Sequence, residues 1–419
     1  MFVFAWLFGT VAAAIVFLAQ LRSYRKKALP IALPIAIWLG VGQIAILFGN
    51  LMVSFGAPDI ADEFGLPAWL VVVINHAGNF GGFVGCLVAA LWIGLPRRMP
   101  VILGLAGVSI AVSPFMGGAF VPAASLSLLV FGALAAWAVF NVHVRVLAAV
   151  PKDRRAETMG LILSPCLLVG VALVGVPLLG GWHLGLWTIA VVVVLLAVTY
   201  PLLKGVPKAT RLERHGFDSM LGLAKEHRRL IVGVCANFSG WVALYTIPSL
   251  AGASSDGIEL MAVAGQLVAA GLAPLVGRLA DLNPRKVGYA AACGLAVALV
   301  GTAVAPTGSL PLLAVPLLGL KLGWWLCALF FAVGEACGNF NQGLMEAAVS
   351  RVNSDSVRVQ LIALAPRFAV VALLNITLAI VSAVVGGAMV GMIIGGVCTA
   401  VVLGGLVPAL RKMPAVGTA

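Results

Sequence analysis

Glu335, Asn339 and Gln342 stand at helical spacing inside an otherwise apolar run over residues 322–348, and Arg367 stands inside the next run, over 359–383. Residues three and four apart share one face of a helix, so these three side chains form a polar stripe. A carboxyl there can take up and release a proton, and the amides can hold a polar solute. A guanidinium can hold an anion, or it can pin the carboxylate of Glu335 or Glu346 on the preceding helix. Both readings of that pairing, a working site and a tie between helices, stay open from sequence. By the 1.5 Å rise of a helix, Glu335 lies about 24 Å from Arg351, and Arg367 about 13 Å from Arg358. Glu346 stands near the end of its run, where contact with solvent is the simpler expectation. A second polar group comes earlier: Asn50 with Gln43, then Asn75, His76 and Asn79, and later Asn237 with Trp241 and Tyr245. His76 is of the type that titrates nearest neutrality, and its reading is open between proton carrier and packing residue. The expected substrate and coupling residues are therefore Glu335, Arg367, Asn339, Gln342, His76, Asn79, Asn50 and Asn237, with Glu335 the best placed to couple a proton.

The elements that position these residues must lie in lipid. Apolar residues make up 62% of the chain and charged residues 10%, against about 25% charged in soluble domains. A spanning helix needs about 20 apolar residues. A leading run over 2–20 and twelve more between 31 and 409 meet that need, while 307–321 is apolar but broken by Pro311 and Pro316 and reads as a loop or a half-inserted piece. Of the 26 lysines and arginines, all except Lys321 and Arg367 fall in every second gap between runs. The alternate gaps hold Asp59, Asp62 and Glu63, then Asp256 and Glu259, or no charge. This is the positive-inside pattern of a polytopic membrane protein. It predicts a cytoplasmic C-terminus, and an outside N-terminus if 2–20 spans. A bacterial inner membrane is the expected location. The leading run has no basic residue before it, so it reads as an uncleaved helix rather than a signal peptide.

The net charge of +12 is spread over many short gaps on one side, which argues against a nucleic-acid partner and for contact with lipid headgroups. All seven cysteines lie in apolar stretches with no CxxC and no histidine pairing, so no metal and no cofactor are expected. GxSxG, HExxH and phosphate-loop patterns are absent. No catalytic constellation remains, and an enzyme is not expected.

The segment 204–229 divides the twelve later runs into six and six. The expected units are an extra helix with a basic linker (1–27), a six-helix bundle (28–203), a central loop (204–229), a second six-helix bundle (230–412) and a tail (413–419). Within the loop, Phe217, Met220, Leu221 and Ala224 are spaced as one face of a short amphipathic helix. The halves echo each other. Leu91, Pro96, Arg97 and Arg98 repeat as Leu279, Pro284, Arg285 and Lys286, and Val150, Asp153, Arg155 and Pro165 repeat as Val352, Asp355, Arg358 and Pro366. Such parallel repeats mark one large transporter architecture.

The segment Gly277-Arg278-Leu279-Ala280-Asp281-Leu282-Asn283-Pro284-Arg285-Lys286 resembles the loop motif G-x-L-A-D-x-x-G-R-R of the major facilitator superfamily. Pro284 replaces its second glycine, and in the first-half copy Ile93 stands where the aspartate belongs. Gly170 to Gly181 is similar to the fifth-helix motif of that family's antiporters, which ends G-P-x-x-G-G. The resemblance implies an all-α polytopic fold of two six-helix bundles, to which the run 2–20 adds one extra helix outside the usual twelve, with an inner gate that includes Gly277, Asp281, Arg285, Arg97 and Arg98. It implies a secondary transporter moving a small solute by alternating access, coupled to protons, with efflux favoured over uptake. The alternative is a non-transporting subunit or assembly factor on the same scaffold, docking a membrane partner through residues 2–20.

Overall fold

The computed structural model describes residues 2–24, 29–55, 57–66, 68–94, 97–115, 120–206, 211–250, 255–305, 316–317, 320–352, 355–385 and 387–413. Every expected run becomes a helix. The leading run is α1 (Phe2–Tyr24). The first half holds α2 (Leu33–Phe55), the short α3 (Ala57–Phe64), α4 (Ala68–Leu91), α5 (Met99–Val112), α6 (Phe120–Ala149), α7 (Arg155–Val174) and α8 (Pro177–Thr199). The central loop carries α9 (Phe217–Glu226). The second half holds α10 (Arg228–Leu250), α11 (Ser255–Leu282), α12 (Pro284–Val304), α13 (Leu322–Ser350), α14 (Ser356–Val385) and α15 (Gly387–Arg411). Among the described residues, nine helices are long and apolar enough to cross a membrane, and α2, α4 and α5 contribute shorter apolar helical stretches. Most of 306–319, including Pro311, lies outside the described residues, apart from a two-residue pairing of Pro316–Leu317 with Leu320–Lys321.

Backbone hydrogen bonds must close internally in lipid, which is why helices account for nearly everything. Prolines start helices where the missing N–H costs nothing, as at Pro284 and Pro177. The Gly170–Gly181 segment is not one motif on one helix. α7 ends at Val174, Gly175 caps it and Pro177 begins α8. Gly181 has φ 68°, a left-handed value that glycine takes without strain.

Stripes of apolar side chains at helical spacing stay exposed: Phe8 and Ile15 on α1, Val101, Leu105 and Val108 on α5, Val191, Leu195 and Val198 on α8, and Ile393, Val397 and Val401 on α15. Such surface is stable only against lipid. Inside each half, small residues let backbones close up. A Cβ on Gly81 would collide with Leu129 O, and one on Gly85 with Ala133 O, so α4 and α6 touch backbone to backbone. The halves meet along two seams, α7 against α11 and α4 against α14. α1 lies over the first seam. Trp6 Nε1 donates to Val171 O (3.1 Å) and Ala172 O (3.2 Å) on α7. Gln20 accepts from Ser164 Oγ of α7 (2.7 Å) and donates to Ala270 O of α11 (2.9 Å), so it bonds to both halves.

One pairing was not foreseen from sequence. The end of α4 continues into β1 (Trp92–Ile93), which pairs antiparallel with β2 (Glu213–Arg214) of the central loop.

Candidate functional site

Three polar layers run from the basic end of the bundle inward. The first joins the gaps that carry the basic residues. Asp281, at the end of α11, accepts from the N–H groups of Ala156 (3.0 Å) and Glu157 (2.7 Å) and forms an ion pair with Arg351. Those N–H groups are the unpaired donors of α7's first turn, where a carboxylate is favoured by the helix dipole. Gly277 makes the approach possible, since a Cβ there would collide with Ala156 O. Arg351 also donates to Lys152 O (2.8 Å), and Arg155 to Val150 O (3.0 Å), Ala148 O (3.0 Å) and Ser350 O. The turns after α6, α11 and α13 are thereby tied together across the halves. The other expected gate residues stay apart from this layer. Arg285 donates to Met413 O (3.1 Å), and Arg97 and Arg98 are exposed in the turn before α5.

The second layer centres on Glu346. Sequence placed it near solvent, but it is 5% exposed. The bundle closes over its end of α13, and the carboxylate is held between helices instead. It accepts from Gln342 Nε2 (3.1 Å) and Arg367 Nη1 (3.3 Å), and its other oxygen lies 3.1 Å from His143 Nε2 on α6. Gln43 of α2 meets His143 Nδ1 at 3.0 Å. Arg367 is ringed by Phe140, Phe368 and Phe238, at 4.3, 4.8 and 5.3 Å from its guanidinium carbon. Aromatic faces attract a cation more strongly when water is excluded. Of the two pairings left open from sequence, the structure takes Glu346 with Arg367.

The third layer, deeper along α13, holds Glu335, which is 0% exposed. It accepts from Trp241 Nε1 (2.6 Å) and Asn339 Nδ2 (3.1 Å), and it shares a hydrogen bond with Tyr245. Trp241, Tyr245 and Phe331 stack edge to face beside it. Gly265 leaves room for its side chain, since a Cβ there would stand 2.7 Å from Glu335 Cβ. All of these partners belong to the second half, and among the described residues none is a cation.

The expected stripe is thus split. Asn339 serves Glu335, while Gln342 turns to Glu346. Asn237 donates to Gly338 O (3.0 Å) and fastens α10 to α13. His76 and Asn79 hydrogen-bond each other (3.0 Å) on α4. The side chains of Asn50 and Asn75 lie outside the described residues. Asn141 on α6 and Asn341 on α13 are buried with both amide ends unpaired among the described residues.

Sequence reasoning missed His143 as a partner, and a signal for it existed. His143 and Glu346 are separated by the same spacing as the repeat pair Arg155 and Arg358. They occupy equivalent places in the two halves, so they meet where the halves face each other.

No family model matches this sequence, and no curated protein matches it. Among solved structures, the chain is similar to XylE, described as a major facilitator superfamily proton:xylose symporter bound to 6-bromo-6-deoxy-D-glucose. The TM-score is 0.62 at 13% identity, covering 88% of this chain and 94% of that one. It is also similar to FucP, a transporter of the same superfamily in the outward conformation, with a TM-score of 0.64 at 15% identity, covering 91% and 99%.

Proposed function

We propose, from the premise that the chain has the fold of major facilitator transporters, that it is a secondary transporter carrying a small solute across a membrane by alternating access, with protons coupled through Glu335. The observation that carries this reading is the setting of Glu335. It is a fully buried carboxyl that, among the described residues, accepts only from neutral donors, Trp241, Asn339 and Tyr245. Gain or loss of a proton there changes the charge of this layer by one unit, which the neutral neighbours do not cancel. Glu346 lacks that property, because the guanidinium of Arg367 pairs with it and His143 lies within hydrogen-bond distance of its other oxygen.

The units follow the division at 204–229, with the two bundles rocking against each other. The basic end is cytoplasmic by the positive-inside rule, with the C-terminus on that side and the N-terminus opposite. The ties of Asp281, Arg351 and Arg155, together with the layer at Glu346, then close the cytoplasmic path, and the solute pocket lies beyond them near Glu335. A non-transporting role through α1 gains less support, since α1 spends Trp6 on α7 and Gln20 on α7 and α11 of the same chain.

The test is solute-driven proton movement in proteoliposomes. Glu335→Gln keeps the shape and the acceptor oxygen and removes the titration. It is expected to abolish pH-dependent transport while the protein stays folded. Unchanged pH dependence in that variant refutes the coupling role, and a wild type that moves no member of a broad solute panel refutes transport.

A further inference from the structure

The two seams between the halves close at the basic end by different means. At α7 against α11, the carboxylate of Asp281 neutralises Arg351 and caps α7. At α4 against α14, the corresponding position is Ile93, and Arg358 pairs instead with Asp355, just before α14. The central loop fills the place. Trp92 and Ile93 pair with Arg214 and Glu213, His215 N–H donates to Leu91 O (2.8 Å), and α9 lies against α14 and α4.

Arg358 is 4% exposed, pairs with Asp355 (3.3 Å) and donates to Ala90 O (3.3 Å) and Ser219 Oγ (3.1 Å), and its Nη2 is buried with no partner among the described residues. Beside it, between the two-stranded ribbon and the end of α4, lies a cavity of about 430 Å³ lined by Val88, Leu91, Trp92, Arg214, His215 and Phe217. One wall is basic. The other is apolar and continues outward, with Trp92 47%, Phe217 57% and Leu221 42% exposed. The acids nearest in sequence, Glu213 and Asp218, are themselves exposed.

We propose that this cavity binds the headgroup of an anionic phospholipid, the phosphate against Arg214 and His215 and the acyl chains along Trp92, Phe217 and Leu221. The cavity sits at the ends of the spanning helices, at headgroup depth, and its pairing of cations with an apolar stripe matches an anionic amphiphile. This assignment needs only that the chain spans a membrane and does not depend on transport.

The experiment is native mass spectrometry of detergent-purified protein titrated with dioleoyl phosphatidylglycerol or dioleoyl phosphatidylcholine. Phosphatidylglycerol is expected to be retained and phosphatidylcholine not. Arg214→Glu is expected to weaken phosphatidylglycerol binding roughly tenfold or more. Arg411→Glu, an exposed change of equal charge at the end of α15, is expected to leave it nearly unchanged. Phe217→Asp tests the acyl-chain wall independently and is expected to weaken retention as well. Equal retention of both lipids, or equal losses in Arg214→Glu and Arg411→Glu, overturns the proposal. Displacement of phosphatidylglycerol by millimolar inorganic phosphate that depends on Arg214 would assign the site to free phosphate and overturn the lipid.

Discussion

Glu346→Gln tests the ionic layer most directly. The substitution keeps size and one acceptor oxygen but removes the carboxylate that, among the described residues, is bonded to Arg367, which is 7% exposed. The guanidinium cannot swing out to solvent, because Phe140, Phe368 and Phe238 enclose it. Removing one partner of a buried ion pair costs about 3–5 kcal/mol, since the other charge stays buried alone. Replacing both, as in Glu346→Gln with Arg367→Gln, removes the stranded charge, and the double variant is expected to recover most of that loss. The coupling energy from the double-mutant cycle should therefore exceed about 2 kcal/mol. Ordinary interhelical hydrogen bonds in membranes average about 0.6 kcal/mol, so the two cases separate well. The assay is reversible unfolding in mixed detergent followed by tryptophan fluorescence, with all four proteins measured side by side. A cost below about 1 kcal/mol for Glu346→Gln, or a double variant no more stable than the single one, would refute the ion-pair reasoning.

Other consequences follow from the same geometry. Asp281→Ala strands Arg351 and uncaps α7, a loss of about 3 kcal/mol that shifts the equilibrium between closed and open basic ends on the order of a hundredfold. Spin labels on the turns after α6 and α13 should move apart, and an unchanged distance distribution would show that this tie does not hold the halves. Gln20→Leu removes hydrogen bonds to Ser164 and Ala270 and should lower stability by about 1–2 kcal/mol; a thermal midpoint equal to wild type would mean that α1 is not anchored to both halves. Gly81→Val forces a side chain into Leu129 O and should destabilise by at least about 1–3 kcal/mol. Normal yield and midpoint in that variant would contradict the backbone contact between α4 and α6.

Hydropathy and charge act on each segment separately, so the sequence by itself determined the membrane class and the helix positions, and it grouped the basic residues into every second gap. The duplication was legible for the same reason, because paired landmarks such as Arg155 and Arg358 survive as spacing. It also marked Glu335 and Arg367 as out of place in lipid. What it did not determine was which side chains meet. Glu346 and Glu335 lie on one helix, and only the depth and crossing of α6, α13 and α14 bring Arg367 and His143 to the first and leave the second among neutral donors. The same holds at the α4 and α14 seam. Sequence showed that Ile93 replaces an acid, but the replacement is a backbone pairing with Glu213, far along the chain. Backbone pairing leaves no side-chain signature. Contacts between remote segments are fixed by packing to within a few ångströms, and that information exists only once the helices are assembled.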